Sequence, residues 1–331
     1  MVKLLSINTK EYNNFFNLQQ VVSMKNEPLI VEPDQEGQRI DNFLLTRLKG
    51  LPKSRLYKAL RTGEVRVNQK RVKPFQRLHS GDLVRVPPLR LALDNPVSIM
   101  QSRIEEISKR ILFEDDKLII IDKLSGIPVH GGSGIDAGLI EILRQRSPSS
   151  KFLELIHRLD RETSGCLLIA KKRQILLFWQ DLLARRTAQK QYLALVKGKW
   201  RLGTYRLEAP LQKNILKSGE RMVVVHPEGK QAITLFHPLK CYSDATLLEI
   251  KLLTGRTHQI RVHAASLGYP VAGDEKYGDK EFNKLMRKKG LKRLFLHSAS
   301  ISSAKKVEEK DFLAIGVILS VDLKQVLSNL D

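Results

Sequence analysis

The sequence predicts an α+β fold, in which a mainly antiparallel, mixed sheet with peripheral helices is preceded by a small basic module. Two observations favour this fold. In the larger, carboxyl-terminal region the predicted strands lack the regular strand and helix alternation of a doubly wound sheet. In the amino-terminal region a pair of short helices precedes a short sheet. A length of 331 residues, 42% of them hydrophobic, is sufficient for two domains with apolar cores.

The basic module is predicted over residues 27–90. Apolar spacing predicts a helix over 39–48, and a second helix is expected over 54–61 with Ser54 as its N-cap. Alternating apolar and polar residues then predict a strand at 64–68 and another just before Pro87 and Pro88. Two helices followed by a short sheet make a unit that can fold separately.

Positive charge is concentrated in this module. Residues 37–90 contain 14 Lys or Arg and three acidic residues, half of the net charge of +22 that the whole chain carries. Such an excess indicates a polyanionic partner, and nucleic acid is the first candidate. The alternative, a membrane surface, requires a basic amphipathic helix or an apolar span. The sequence has neither a run of about 18 apolar residues nor a signal peptide. We therefore expect a cytoplasmic protein, a monomer without a membrane partner.

Two groups of basic residues in the module are candidate RNA contacts, although a solvated basic face would look the same. Arg55, Lys58 and Arg61 fall on one helical face, and Arg66, Lys70 and Arg71 surround a turn. The stretches RIDNFL, PKSRLYKALRTGEVRVNQKRV and GDLVRVPP resemble the alpha-L RNA-binding domain, the type named after protein four of the small ribosomal subunit. The resemblance implies that RNA is bound by these two groups.

The remaining boundaries follow from composition. Residues 1–26 lack a clear period and are expected to form a mobile arm. Residues 91–109 are interpreted as a linker, and 110–331 as a second, larger domain. Within that domain strands are predicted near 111–114, 117–122, 167–170, 191–196, 221–225, 231–236, 246–253 and 294–297, and helices near 137–146, 173–186 and 257–267.

One stretch, HRLDRETSG, places the carboxylate of Asp160 between Arg158 and Arg161, just ahead of an apolar run. An isolated acid of this kind often forms a structural ion pair with a neighbouring arginine. A carboxylate beside arginines also stays ionised and accepts hydrogen bonds only, which suits a nucleophile or a base. His157, Arg158, Arg161 and Thr163 of this stretch are candidate substrate contacts, as is Lys190 further along the chain.

Two later segments also combine turn residues with polar side chains. In Lys190-Gln191-Tyr192 the tyrosine is either a core aromatic or a ring that stacks on a nucleobase. In TGRTHQIRVH the side chains of Arg256, His258 and Arg261 are expected to cluster near a helix start, where phosphates bind readily. Thr257 is the expected cap of that helix.

Neither a metal nor a cofactor is expected. The two cysteines and eight histidines have no metal-ligand spacing. The glycine-rich stretch SGIPVHGG after a predicted strand matches no nucleotide-binding fingerprint.

Taken together, HRLDRETSG, KQYLALVKG, LLTGRTHQIRVH and LGYPVAGDEKYG resemble the RluA family of pseudouridine synthases. The resemblance implies that Asp160 is the catalytic residue, that Tyr192 lies against the target base, and that Arg261 pairs with the carboxylate of Asp160. It implies that Arg158 enters the space left by a flipped nucleotide. Leu124 stands where many relatives have proline, and the tail after Ser302 departs from the family pattern.

The implied reaction breaks the bond between N1 of uracil and C1′, turns the base, and rejoins it through C5 without a cofactor. Asp160 would attack C1′ or C6, or remove the C2′ proton, and the sequence leaves these routes open. The implied partner is 23S ribosomal RNA or an assembling large ribosomal subunit. Two alternatives remain at this stage: a non-catalytic RNA-binding or ribosome-assembly protein, and a nucleosidase that releases free uracil.

Overall fold

The structure is a computed structural model, and it describes residues 28–48, 51–88, 99–131, 137–148, 150, 152–215, 221–303 and 313–331. The chain divides into two compact units, Met1–Ser98 and Ile99–Asp331. The predicted arm at 1–26 lies outside the described residues, as does most of the first half of the predicted linker.

The described residues of the first unit form four strands and two α-helices. Its elements are β1 (Leu29–Ile30), a 3-10 turn (Pro33–Gln35), α1 (Ile40–Arg47), α2 (Lys53–Thr62), β2 (Arg66–Val67), β3 (Lys70–Arg71) and β4 (Leu83–Arg85). The strands pair in the order β1-β4-β2-β3, and every pair is antiparallel.

The helix starts in this unit differ slightly from the prediction. Helix α2 begins at Lys53, with Pro52 at the cap position, so Ser54 lies in the first turn and caps nothing. Proline favours such a start because its φ angle is fixed and it has no N–H to satisfy. Gly63 ends the helix with a left-handed φ of 75°.

The core of the first unit lies between the helices and the sheet. Phe43 and Leu44 of α1 and Leu56 and Leu60 of α2 are at most 2% exposed. The apolar residues recur at helical spacing, so each helix buries one face.

The second unit holds the remaining elements. The helices are α3 (Gln101–Ser108), α4 (Leu139–Arg146), α5 (Arg173–Ala184), α6 (Gln259–Ser266), α7 (Lys280–Lys288) and α8 (Val321–Ser328). The strands are β5 (Ile111–Glu114), β6 (Leu118–Lys123), β7 (Glu154–Leu155), β8 (Ser164–Ala170), β9 (Ala188–Lys197), β10 (Tyr205–Glu208), β11 (Leu211–Ile215), β12 (Arg221–Val225), β13 (Ile233–Cys241), β14 (Ala245–Leu252), β15 (Leu296–Ser303) and β16 (Leu313–Gly316).

Most of these strands form one mixed sheet. Its order is β10-β13-β14-β9-β15-β8-β6-β5, with β7 added to β8 and β16 added to β15. Among the described strands only β8 and β15 run parallel, and β11 and β12 form a separate antiparallel ribbon. The predicted α+β fold with a mainly antiparallel sheet and peripheral helices is confirmed.

The second half of the predicted linker differs in the structure. Residues 101–108 form α3, which packs against α4 and buries Ile104 and Ile107 at 8% and 1% exposure. These two residues are three positions apart in an otherwise polar stretch, which is a weak helical pattern. The helix forms because α4 covers these two side chains.

Strand β9 runs through the middle of the sheet and divides its side chains between two apolar clusters. Tyr192, Ala194 and Val196 face one cluster, whereas Leu195 faces the cluster that includes residues of α7 and α8. Within the part of the chain that the structure describes, no helix is long and apolar enough to cross a membrane.

Candidate active site

A cavity of about 450 Å³ lies in the second unit, beside the loop that precedes β8. The beginning of β9, the end of β14 and the start of α6 form its other walls. Its lining residues are Val129, Ile156, His157, Arg158, Leu159, Asp160, Thr163, Lys190, Tyr192, Leu252, Gly255, Arg256, Thr257, His258, Gln259, Ile260, Arg261 and Leu296. The cavity combines apolar walls with several cations and one carboxylate.

The loop that carries Asp160 has a tightly fixed backbone. The N–H of Thr163 donates to the carbonyl of Asp160 at 3.1 Å, which closes a turn. Gly165 then adopts a φ of 104°, and a Cβ at this position would lie 2.3 Å from the backbone oxygen of Ser298. Only glycine fits there, because β8 and β15 approach each other so closely.

The end of β6 and the loop after it are hydrogen-bonded to the loop that carries Asp160. The ammonium of Lys123 donates to the carbonyls of Leu124, Ile127 and Arg161 at 2.8 to 2.9 Å. The N–H of Gly126 donates to the carbonyl of Arg161 at 2.9 Å. Burial lowers the pKa of Lys123 to about 7. These hydrogen bonds therefore fix the backbone of the loop that carries Asp160 against the glycine-rich stretch.

Arg261 lies between two carboxylates at the floor of the site. Its Nε and Nη2 donate to Asp274 at 2.7 Å each, and its Nη1 lies 3.8 Å from Oδ2 of Asp160. The guanidinium is 5.0 Å from the centre of the Tyr277 ring. Burial raises the pKa of Asp274, but hydrogen bonds from Arg261 outweigh it, and the pKa is lowered overall. The bidentate partner of Arg261 is Asp274, and its contact with Asp160 is longer and purely ionic.

Tyr192 presents its ring to the cavity from β9. Its side chain is 4% exposed, and its hydroxyl interacts with the side chain of Ser298. Burial, followed by the nearby carboxylate of Asp160, raises the pKa of the phenol. The ring therefore remains neutral and offers an apolar face next to the carboxylate.

Two further basic side chains line the cavity near Tyr192. Burial lowers the pKa of Lys190, and it lowers the pKa of His157 to about 3, so this imidazole is neutral. His157 Nε2 accepts from the N–H of Leu168 at 3.4 Å, and Nδ1 has no partner among the described residues. A Cβ on Gly255 would lie 3.0 Å from Nζ of Lys190.

The other predicted contacts divide into two groups. Arg158 is exposed at the cavity lining, and Arg256 donates from Nε to the carbonyl of Gln231 at 3.1 Å. Arg161 does not line the cavity; its Nε donates to the carbonyl of Gly126 at 3.0 Å and lies 3.4 Å from Glu162. The cap of α6 is His258, and the predicted cap Thr257 precedes it.

In the first unit the basic candidates are not equivalent. Lys58, Arg61, Arg66, Lys70 and Arg71 are exposed. Arg55 is half-buried and pairs with Glu64 at 2.6 Å. Two of the three basic residues predicted on the face of α2, Lys58 and Arg61, are therefore exposed to solvent.

The residues that the structure describes include no group of three His, Cys, Asp or Glu side chains that could hold a metal ion. The chemistry that the cavity offers is that of its own side chains: one carboxylate, an arginine beside it, and an aromatic wall. This set can bind and turn a planar polar ring, and it can act on that ring or its sugar through the carboxylate.

Comparison with known proteins shows the family of the chain. Residues 117–266 match the RNA pseudouridylate synthase family, and residues 38–84 match the S4 domain. Ribosomal large subunit pseudouridine synthase C of Haemophilus influenzae is 51% identical over 285 residues, 86% of this chain and 88% of that protein. The chain belongs to the RluA family of pseudouridine synthases.

Other relatives agree with this membership. Ribosomal large subunit pseudouridine synthase C of Pasteurella multocida is 47% identical over 314 residues, 94% of this chain and 96% of that protein. A solved structure, human RNA pseudouridylate synthase domain containing 4, shares the fold with a TM-score of 0.56 and 24% identity, covering 69% of this chain and 95% of that chain.

Several predictions are therefore confirmed: the RluA family, the likeness to ribosomal large subunit pseudouridine synthase C, the amino-terminal S4-type domain and the activity of an RNA pseudouridine synthase. The residues that match the RNA pseudouridylate synthase family, 117–266, lie within the unit that holds the cavity.

The sequence reasoning missed four residues that shape the site: Lys123, Asp274, Tyr277 and Ser298. Asp274 and Tyr277 belong to the stretch GDEKYG, which the resemblance included without assigning them a role. Lys123 ends the apolar run of β6, and a lysine completing a buried strand was the available signal. Nothing in the sequence indicated Ser298.

Proposed function

We propose that this protein isomerises specific uridines to pseudouridine in the ribosomal RNA of the large subunit, 23S RNA. The relatives named ribosomal large subunit pseudouridine synthase C support this substrate, because they align over most of both chains at about half identity. The exposed basic residues of the S4-type domain support an RNA partner.

One observation carries the proposal: among the described residues that line the cavity, Asp160 is the one carboxylate, and the others are apolar, aromatic, polar or cationic. A volume of about 450 Å³ accommodates one nucleoside. A glycosidase would need a second carboxylate as general acid. Asp274 is satisfied by Arg261 and does not line the cavity, so it does not supply one.

The substrate must first leave its stack, which costs on the order of a few kcal/mol and is offset by stacking and phosphate contacts. Tyr192 would lie against the flipped uracil, and the exposed Arg158 would occupy the space left in the RNA. Arg256, Lys190 and His258 would contact the nucleotide or its phosphates. Neutral His157 and Thr163 would shape the same wall.

Asp160 would then act on the nucleoside. Attack at C1′, attack at C6 and removal of the C2′ proton all require an ionised carboxylate with an accessible oxygen. Arg261 at 3.8 Å stabilises that charge without occupying both oxygens. Exclusion of water matters because water that reached the intermediate would leave an abasic site and free uracil.

We further propose a division of labour along the chain. Residues 27–90 would bind RNA through Lys58, Arg61, Arg66, Lys70 and Arg71, with Arg55 contributing less because Glu64 neutralises it. Residues 110–331 would perform the reaction, with 1–26 as an arm and 91–109 as a connection. The protein would act as a monomer in the cytoplasm.

The test of the reaction is Asp160→Asn, with Glu162→Gln as the matched control. Both changes remove one carboxylate from the same loop, but Glu162 does not line the cavity. We expect Asp160→Asn to reduce pseudouridine formation in 23S RNA by on the order of 10⁴-fold, with RNA binding retained at moderate salt. The control should keep its activity.

Three outcomes separate the alternatives. Equal pseudouridine yields from wild type and Asp160→Asn would contradict the role of Asp160. Tight RNA binding by wild-type protein without any pseudouridine would favour an assembly protein. Free uracil in place of rearranged base would indicate a nucleosidase.

The RNA-binding role of the first unit is tested within the full chain. Lys58→Gln combined with Arg61→Gln should make the negative slope of log K against log salt less steep by about 1 to 2 if both contact phosphates. Lys324→Gln, an exposed lysine on α8, is the control. An unchanged slope in the double variant would mean that this row of charge does not contact RNA.

A further inference from the structure

His258 starts α6 in an unusual conformation. Its φ of 54° and ψ of 20° lie in the left-handed region, although it is not glycine. Such a residue persists where surrounding contacts hold it, and these positions cluster at functional sites. His258 also lines the cavity that contains Asp160.

The contact that holds the imidazole is a hydrogen bond with Tyr277. His258 Nδ1 lies 2.7 Å from the Tyr277 hydroxyl oxygen. The same oxygen accepts from the backbone N–H of Val223 at 3.0 Å. Because a backbone N–H can only donate, the Tyr277 oxygen is the acceptor in its hydrogen bond with Val223.

This arrangement favours one tautomer of the imidazole. A phenol has one hydrogen, and among the described residues His258 Nδ1 is the acceptor within its reach. When the hydroxyl donates to Nδ1, the phenol hydrogen has an acceptor and Nδ1 is unprotonated. Burial lowers the pKa of His258, so the ring is neutral at neutral pH, and in this tautomer its single proton lies on Nε2.

The Nε2–H group has no acceptor among the described residues, although the residue lines the cavity. Building on the function proposed above, we propose that His258 donates this N–H to a carbonyl oxygen of the target uracil. Tyr277 is then a positioning residue, because it acts on the substrate only by fixing the tautomer and orientation of His258.

The symmetry of uracil gives this donor a specific use. A half-turn about the axis through N3 and C6 exchanges N1 with C5 and also exchanges the C2 carbonyl with the C4 carbonyl. A stationary N–H donor therefore meets a carbonyl oxygen both before the base turns and after it. The hydrogen bond is available in the substrate and in the product, so the turn leaves no unpaired donor.

The same geometry selects against cytosine. Cytosine has one carbonyl and one exocyclic amine in place of the two carbonyls, so one of its two orientations sets an N–H donor against the donor of His258. A protein that hydrogen-bonds a substrate group strongly rejects an analogue that lacks it. His258 is thus a specificity-determining residue for the base.

The test combines enzyme and substrate changes. The substrate is a synthetic RNA stem-loop that carries one mapped target uridine, which is replaced by 2-thiouridine or 4-thiouridine because a thiocarbonyl is a weaker acceptor. His258→Asn retains a residue type that tolerates the left-handed conformation but places its amide near Nδ1. His258→Gln places an amide donor close to the position of Nε2.

We expect at least one thio substitution to lower kcat/KM of the wild type about 10-fold. His258→Asn should lower kcat/KM on the unmodified RNA by about 10- to 100-fold and be nearly insensitive to sulfur. His258→Gln should recover part of the loss, and Tyr277→Phe should fall between wild type and His258→Asn. The control His237→Asn, at an exposed histidine bonded to Thr204, should behave as wild type. Thermal unfolding of each variant separates these effects from misfolding.

A nitrogen-15 NMR spectrum of labelled protein provides a second readout, with His258 assigned by the signals lost in His258→Asn. An unprotonated Nδ1 is expected in the wild type, and its signal should shift in Tyr277→Phe. A protonated Nδ1 in the wild type at neutral pH, or an equal sulfur penalty in wild type and His258→Asn, would overturn the inference and leave the proposed function intact. Absence of pseudouridine from wild-type reactions would overturn both.

Discussion

Asp274 provides the sharpest test of how the site is held together. Its side chain is fully buried and accepts four hydrogen bonds, two from Arg261 at 2.7 Å and two from the N–H groups of Lys276 and Tyr277 at 2.9 and 3.0 Å. The change Asp274→Asn keeps the shape of the side chain. It replaces one oxygen by an NH₂ group, which would face a guanidinium N–H of Arg261.

The cost follows from the burial of Arg261, whose side chain is 8% exposed. Removing one partner of a buried pair costs about 3 to 5 kcal/mol, because Arg261 would keep only its longer ionic contact with Asp160. For a unit the size of Ile99–Asp331, each kcal/mol lowers the melting temperature by about 2 to 4 °C. We therefore expect Asp274→Asn to lower the melting temperature by about 6 to 20 °C.

The assay is thermal unfolding of the full chain followed by near-ultraviolet circular dichroism. Glu275→Gln is the control, because it removes the neighbouring carboxylate, which is 76% exposed and pairs with Arg287 at the surface. That change should alter stability by less than about 1 kcal/mol. If Asp274→Asn and the control had the same melting temperature, the pair with Arg261 would contribute no stability.

The pH dependence offers an independent check of the same pair. Because the pKa of Asp274 in the folded protein is lowered below the unfolded value of about 3.9, its stabilisation is present above that value. The stabilisation is lost as the pH falls through the folded pKa. The wild type should thus lose stability below about pH 4 more steeply than Asp274→Asn.

Three further changes test other regions of the second unit. Gly165→Ala should destabilise the protein and reduce activity, because its Cβ would lie 2.3 Å from a backbone oxygen. The control Gly126→Ala places its Cβ in open space and costs only backbone strain, about 1 to 2 kcal/mol. Equal melting temperatures of the two variants would contradict this prediction. Lys123→Met leaves the carbonyls of Leu124 and Ile127 without a donor among the described residues, while that of Arg161 keeps the N–H of Gly126, so it should cost at least about 2 kcal/mol in denaturant unfolding; a neutral result would mean that water replaces the ammonium. Burial raises the pKa of Cys166 to about 12, so a thiol reagent should label exposed Cys241 alone in native protein and both after unfolding.

The central strands were predictable from the sequence because their local pattern agrees with their final environment. Strands β6, β8, β9 and β14 contain β-branched or alternating apolar runs, and each was expected within a few residues of its actual bounds. The helices α4, α5 and α6 were expected for the same reason. The polar residues that line the cavity were expected to act together because they occur in motifs that interrupt these apolar runs.

Elements at the edge of the fold were harder to predict. Helices α7 and α8 and strands β10 and β11 were not expected. Helix α7 is amphipathic, with Phe282 and Met286 buried four positions apart and Asp279 accepting from the N–H of Phe282, so its signals were present. The short strands β10 and β11 depend on pairing with β13 and β12, which a local pattern does not show.

The choice of partner for Arg261 shows the limit of sequence reasoning at the site. Both Asp160 and Asp274 follow turn-rich stretches, and the family resemblance suggested Asp160 as the partner. The structure gives the two short bonds to Asp274, which is buried beside Arg261 at a sequence distance of 13 residues. Only the packing of the loop after α6 decides between the acids, and no pattern along the chain encodes it.

This choice also bears on the simplest alternative for Asp160, that it is a structural acid paired with an arginine. A structural pair in this site would be buried and bidentate, as Asp274 and Arg261 are. Asp160 instead keeps 26% of its side chain exposed, and its ionic contact to Arg261 is 3.8 Å long. Arg161, adjacent in sequence, bonds to the carbonyl of Gly126. Because Asp274 takes the strong bonds of the arginine, the oxygens of Asp160 stay available while its charge remains compensated, which is the state that each route to pseudouridine requires.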